Sequence, residues 1–315
     1  LVWELAVGRG FSSPVVAEGK LVFLHRQGNE IEVDCLEPET GRRFWRHSIP
    51  CEYKDRYISN AGPRSTPTIV DGSVFVHAVE GELVCLELST GRGRWQRDTR
   101  KDFALPPDFF GVVSSPLAVG DPLVQTLGAP GPCVAAFERK TGKLVWGSGP
   151  EWGPSCASPV LARLGDRERL LVLAGGESRP PTGGLVVLDP ASGRVEHQYP
   201  FRSKLHESVT GSSPVVAGNS VFLSAAYGTG SACVALQEDG TFHELWTNRH
   251  IGLQFSSAIF EQGVLYLVDG VADRSGALVA LDPASGEELA RTELVWEEKI
   301  DKDGKSVEQS FTVGE

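Results

Sequence analysis

Arg9, Arg64, Trp152, Glu207, Arg249, His250 and Gln254 are the side chains of this chain best placed to hold a ligand. Each lies in or near a connection that leads into a Ser-Pro, Thr-Pro or Ser-Ala step. Together they offer charge, hydrogen bonds and one stacking surface, the usual equipment of a concave binding site. Other candidates are poorer. His206-Glu207 lacks the second histidine of a zinc-protease helix. Asp301-Lys302-Asp303-Gly304 opens like a calcium loop, but its glycine falls at position four and Thr312 stands at position twelve. It reads as an Asp-Gly hairpin tip. His25 and His77 fall in or after apolar second-strand segments and read as structural side chains. No Gly-x-Ser-x-Gly, P-loop or dinucleotide fingerprint is present.

The six cysteines, at 35, 51, 85, 133, 156 and 233, include no Cys-x-x-Cys pair. No zinc cluster or other metal site is expected from them. Cys35 and Cys85, each followed by Leu-Glu, occupy one repeat position. They are expected in equivalent strands of different units, too far apart to bond, so six free thiols are expected.

Composition narrows the function further. The formal charge is −11 and no basic run exists. That argues against a nucleic-acid partner, which requires clustered Lys and Arg. No apolar run approaches the length of a membrane span, and the first residues do not read as a signal peptide. The chain has 36 Gly and 20 Pro, with short Val- and Leu-rich runs between them. This is the composition of many short strands joined by tight turns.

A repeat positions these residues. Thr-Gly-x-x-x-Trp occurs at 40–45, 90–95 and 141–146, with weaker copies at Ser192-Gly193, Asp239-Gly240 and Ser285-Gly286. Each unit opens with Ser/Thr-Pro (Ser13, Thr66, Ser115, Ser158, Ser213) or, in the sixth, Ser257-Ala258. Proline belongs at a strand start or edge because it lacks a donor. An apolar segment, a turn such as Asp71-Gly72, and two more apolar segments follow. The Thr-Gly turn then leads into a fourth strand carrying the Trp. Units of this size cannot bury a core alone and must lean on their neighbours. Four strands repeated radially make a propeller blade.

The segments 35–45 and 136–146 resemble the tryptophan-docking motif of quinoprotein propellers, Ala-x-Asp-x-x-Thr-Gly-x-x-x-Trp. Leu188-Asp189 to Gly193 and Leu281-Asp282 to Gly286 fit it too, with His197 and Ala290 in place of the Trp. The resemblance runs from Trp3 to about Ala290. It extends to uncharacterised bacterial repeat proteins and to the scaffold lipoprotein of outer-membrane barrel assembly. It implies an extracytoplasmic, periplasmic setting.

The expected fold is all-β: a β-propeller of four-stranded antiparallel blades, seven in number, with six and eight as the neighbouring counts. Residues 1–315 should form one domain, the strand around Trp3 completing the last blade. Trp45, Trp95, Trp146 and Trp246 should be buried between blades as fasteners. The expected function is a non-enzymatic, monomeric binding or scaffold propeller that engages a protein or peptide through its channel-mouth loops, with no cofactor. A dehydrogenase dependent on pyrroloquinoline quinone (PQQ) and calcium is the alternative that the resemblance implies. Against it, the disulfide-linked Cys-Cys pair of those enzymes is missing, and no acidic residue aligns with their catalytic Asp. A glycan- or polymer-binding propeller, stacking sugars on Tyr53, Tyr57, Phe109, Phe110 or Trp152, is the third reading.

Overall fold

A computed structural model describes residues 2–56, 60–105, 110–128, 131–153, 155–176, 180–206, 208–270, 276–302 and 305–312. They are nearly all β. Six four-stranded antiparallel sheets follow one another at 15–50, 68–98, 117–148, 160–200, 215–248 and 259–293, here blades 1 to 6. Each is a meander whose strands pair in chain order. A two-stranded sheet, Val295–Lys302 with Lys305–Thr312, follows. The architecture is that of a propeller of roughly seven blades. One short helix, Thr99–Phe103, interrupts the strands.

Turn chemistry sets the meander. Asp71 and Gly72 both adopt positive φ, 49° and 64°, and close the hairpin between Thr68–Val70 and Ser73–His77. Such turns match the natural twist of the paired strands.

The core lies between blades rather than inside any one of them. Val74 and Val76 face blade 1, beside Val33, Cys35 and Trp45. Phe75, between them in sequence, faces blade 3, beside Leu123 and Phe137. Alternate side chains therefore serve opposite neighbours. This is why the middle strands read as unbroken apolar runs rather than as alternating ones. The same division recurs between blades 3 and 4, 4 and 5, and 5 and 6. Among the described residues, blade 6 is well covered on one face only. Leu265, Leu267 and Val279 are buried, while Tyr266 and Leu278 are 41% and 45% exposed.

The tryptophans fasten successive blades. Trp45 of blade 1 lies on Gly91 of blade 2, and its indole N–H donates to Leu88 O at 2.8 Å. Trp95 lies on Gly142 and donates to Arg139 O; Trp246 lies on Gly286 and donates to Pro283 O. Trp146 lies on Gly193, its N–H without a partner among the described residues. His197 lies on Gly240 in the position that Trp takes elsewhere. Trp45 and Trp146 are buried; Trp95 and Trp246 are half-buried, each packed against an interblade core. Trp3 repeats the arrangement on blade 1: it lies on Gly41 and donates to Pro38 O at 2.8 Å.

Candidate binding site at the channel mouth

The first strands of successive blades adjoin around an axis, and the chain enters each from one end of the channel. Residues two apart share a face in extended chain. Six such pairs line one cavity of about 650 Å³. The upper tier is Phe11, Arg64, Val113, Cys156, Gly211 and Phe255. The lower tier is Ser13, Thr66, Ser115, Ser158, Ser213 and Ser257, the hydroxyls of the Ser/Thr-Pro and Ser-Ala steps. Phe110 completes the wall.

The lower tier is a hydrogen-bonded relay. The Thr66 N–H donates to Ser115 Oγ at 2.8 Å, Ser115 N–H to Ser158 Oγ at 2.9 Å, and Ser158 N–H to Ser213 Oγ at 3.1 Å. Ser213 N–H donates to Ser257 Oγ at 2.8 Å, and Ser13 N–H reaches Thr66 Oγ1 at 3.4 Å. Each step crosses from one blade to the next. The recurring Ser/Thr was visible in the sequence, but it was legible there only as a strand start. Its partner sits 43 to 55 residues away, which only the radial arrangement brings near.

Arg64 is the cation of the upper tier. Its side chain is 8% exposed and pairs with Asp55 at 3.4 Å and with Asn60 O at 3.0 Å. The guanidinium also sits 5.1 Å from the Phe110 ring centre, 5.5 Å from Phe11 and 5.9 Å from Tyr53. These are cation–π distances. Phe11 and Phe255 remain 61% and 48% exposed, so the mouth presents apolar rings to solvent.

The other candidate residues lie elsewhere. Arg9 pairs its backbone with Arg26, and its exposed side chain is outside the cavity lining. Trp152 packs half-buried against the core between blades 3 and 4. Arg249 and His250 are exposed beside the Asn248 turn, where His250 N–H donates to Asn248 Oδ1. Gln254 is buried, its Nε2 donating to Tyr227 Oη at 2.8 Å. Glu207 lies outside the described residues, as do Tyr57, Phe109 and the Asp303-Gly304 tip. The cavity thus gathers Arg64 and Phe110, both singled out from the sequence, with Phe11, Phe255 and hydroxyls that were not.

His25 and His77 are buried within blades 1 and 2. His25 Nε2 meets Asp34 Oδ2 at 3.1 Å, and its Nδ1 accepts the Gly8 N–H. His77 Nε2 meets Thr99 Oγ1 at 2.9 Å, and burial pushes its pKa down to about 4. All six cysteines are free thiols, five of them buried; half-buried Cys156 faces the mouth.

A quinone with calcium requires clustered carboxylates around the ion. The cavity lining carries no carboxylate, and no three His, Cys, Asp or Glu converge among the described residues. The residues described do not fit that pair. Of the aromatics that could stack a sugar, Tyr53 and Phe110 both flank Arg64.

The chain is 25% identical over 249 residues to the outer membrane protein assembly factor BamB of Burkholderia pseudomallei (strain K96243). The match takes in 78% of this chain but only 57% of that protein's length. Among solved structures, a europium-containing methanol dehydrogenase superposes with a TM-score of 0.67 at 11% identity, over 91% of this chain and 72% of the other. BamB from Moraxella catarrhalis superposes with a TM-score of 0.62 at 18% identity, over 91% and 76%. At such identities the two superpositions establish the fold alone. The family model described as outer membrane protein assembly factor BamB matches residues 130–312, more than half of the chain. By its docking repeat, its blades and that match, the chain belongs to the BamB family of PQQ-like repeat propellers.

Proposed function

We propose that this protein is a non-enzymatic scaffold or binding propeller that receives a protein or peptide partner at the channel mouth, outside the cytoplasm. The observation that carries the reading is the cavity of about 650 Å³ itself, walled by rings and hydroxyls with exposed Phe11 and Phe255 at its entrance. An apolar, concave surface on a rigid frame suits a peptide segment. The Burkholderia relative is named an outer membrane protein assembly factor, which accords with a protein partner and a periplasmic setting. No helix among the described residues is long and apolar enough to cross a membrane. The same reading takes residues 1–315 as one domain, with Trp3 marking the outer strand of the closing blade. Its docking on Gly41, matching Trp45 on Gly91, supports that.

Panning a displayed peptide library against the wild type and against a Phe11→Asp/Phe255→Asp variant tests the role. Enriched sequences should bind the wild type and lose at least tenfold on the variant. Equal binding to both proteins, or no enrichment at all, would sink the proposal. Release of the protein by osmotic shock of the source cells would check its compartment.

A further inference from the structure

We propose that the channel mouth is a carboxylate receptor: it takes an acid carried on an apolar body, the carboxylate seated on the hydroxyl belt. The inference rests on the channel-mouth reading and deepens it. Its basis is how the relay uses each hydroxyl. The oxygens of Thr66, Ser115, Ser158, Ser213 and Ser257 each accept a backbone N–H from the preceding blade. A hydroxyl has one hydrogen of its own to give. Ser213 gives its hydrogen to Ser158 O. For Thr66, Ser115, Ser158 and Ser257 no acceptor lies among the described residues, and all four line the cavity. Accepting an N–H polarises each hydroxyl and ties down its oxygen, which leaves the four hydrogens available as a grouped donor set.

Donors grouped without acceptors of their own call for an acceptor-only ligand, and an ionised carboxylate is one. The rest of the lining agrees. Among the described residues it holds no carboxylate, and its one ionised side chain is the Arg64 guanidinium, which Asp55 pairs at 3.4 Å. Above the belt, Phe11, Phe110, Val113 and Phe255 make an apolar collar. A cation would meet hydroxyl hydrogens and Arg64, and a neutral sugar would have to bury its own hydroxyls against that collar. An acid with an apolar body satisfies both tiers. Peptide C-termini and small organic acids share this chemistry.

Isothermal titration calorimetry on the full chain decides it. The probes are N-acetyl-Leu-Phe with a free C-terminus, the same dipeptide as its C-terminal amide, and 3-phenylpropionate. The free acid should bind at least tenfold more tightly than the amide. If the peptide acid outbinds 3-phenylpropionate tenfold or more, the site is assigned to peptide C-termini; the reverse order assigns it to small acids. The Ser115→Ala/Ser158→Ala variant should lose tenfold or more for the acids and leave the amide unchanged, whereas Phe255→Ala should weaken all three. If the double variant fails to fold, the comparison of acid with amide on the wild type still decides. Equal affinity for acid and amide, or no binding of either acid at millimolar concentration, overturns the proposal. Library peptides that need the Phe11 and Phe255 rings but not a free C-terminus would overturn it while leaving the peptide-binding role intact.

Discussion

The Trp45 ring rests on the backbone of Gly91 so closely that a Cβ added there would lie 2.5 Å from ring carbon Cε3. Gly91 also has φ near 72°, in the left-handed region. Two separate constraints therefore demand glycine: the turn's backbone and the neighbouring blade's indole. Gly91→Ala should cost about 1–3 kcal/mol by overpacking, and Trp45→Ala about 3–5 kcal/mol. Urea unfolding measures both. A Gly91→Ala variant as stable as the wild type would contradict the wedge.

Of the five junctions between blades 1 and 6, His197 marks the one where the wedge is smallest. A cavity of about 550 Å³ opens beside it, lined by Arg167, Arg169, Glu196, Asn219 and Gly240 among others. His197→Trp restores the ring used at the other junctions, and it should raise the melting temperature by a few degrees, the shift expected for about 1 kcal/mol. Calorimetry of the variant checks this. A lower melting temperature would mean that the arginines and Glu196 need the smaller ring.

His77 should make the protein acid-sensitive. Burial lowers its pKa from 6.5 to about 4, so the fold favours the neutral ring. The stability from this group is full above pH 6.5. It falls as the pH drops towards 4, because the unfolded chain takes up the proton first. A shift of this size amounts to roughly 3 kcal/mol. Melting temperatures between pH 7 and pH 4 should fall in the wild type. His77→Gln should flatten that slope, whatever it does to stability at pH 7.

The hydroxyl relay should be visible one amide at a time. Ser115→Ala removes the acceptor of the Thr66 N–H. A backbone donor left unsatisfied costs about 1–3 kcal/mol. Hydrogen exchange at Thr66 should accelerate in Ser115→Ala and stay near wild type in Ser115→Thr. Unchanged protection in the alanine variant would remove the relay from the account of blade docking.

Thiol reactivity should separate one cysteine from five. Burial pushes Cys35, Cys51 and Cys85 up to about 11 and Cys133 up to about 12. Their thiolates are scarce at neutral pH. A thiol reagent at pH 7.5 should therefore label Cys156 first in the native protein and all six cysteines after unfolding without reductant. Mass spectrometry that finds a different first site, or fewer than six labels, would contradict this.

The sequence by itself determined the blade. Its turn pairs, its apolar runs and the near-fifty-residue spacing of Gly41, Gly91 and Gly142 are properties legible in one dimension, set by backbone sterics and burial within one unit. The docking partners were half legible: a Trp at a fixed offset from a Gly announces a fastener, and only the stacked blades reveal that Trp45 meets Gly91 rather than its own Gly41. The candidate site was the least legible part. Arg64 could be singled out as a cation before an inner strand and Phe110 as a loop aromatic, yet their companions Phe11 and Phe255 are rings that look like ordinary core residues in a one-dimensional reading. The serines looked like strand starts. Each hydroxyl became a site component only when the propeller set six chain entries around one axis, because convergence of residues from different blades depends on how the blades pack, which no single repeat encodes.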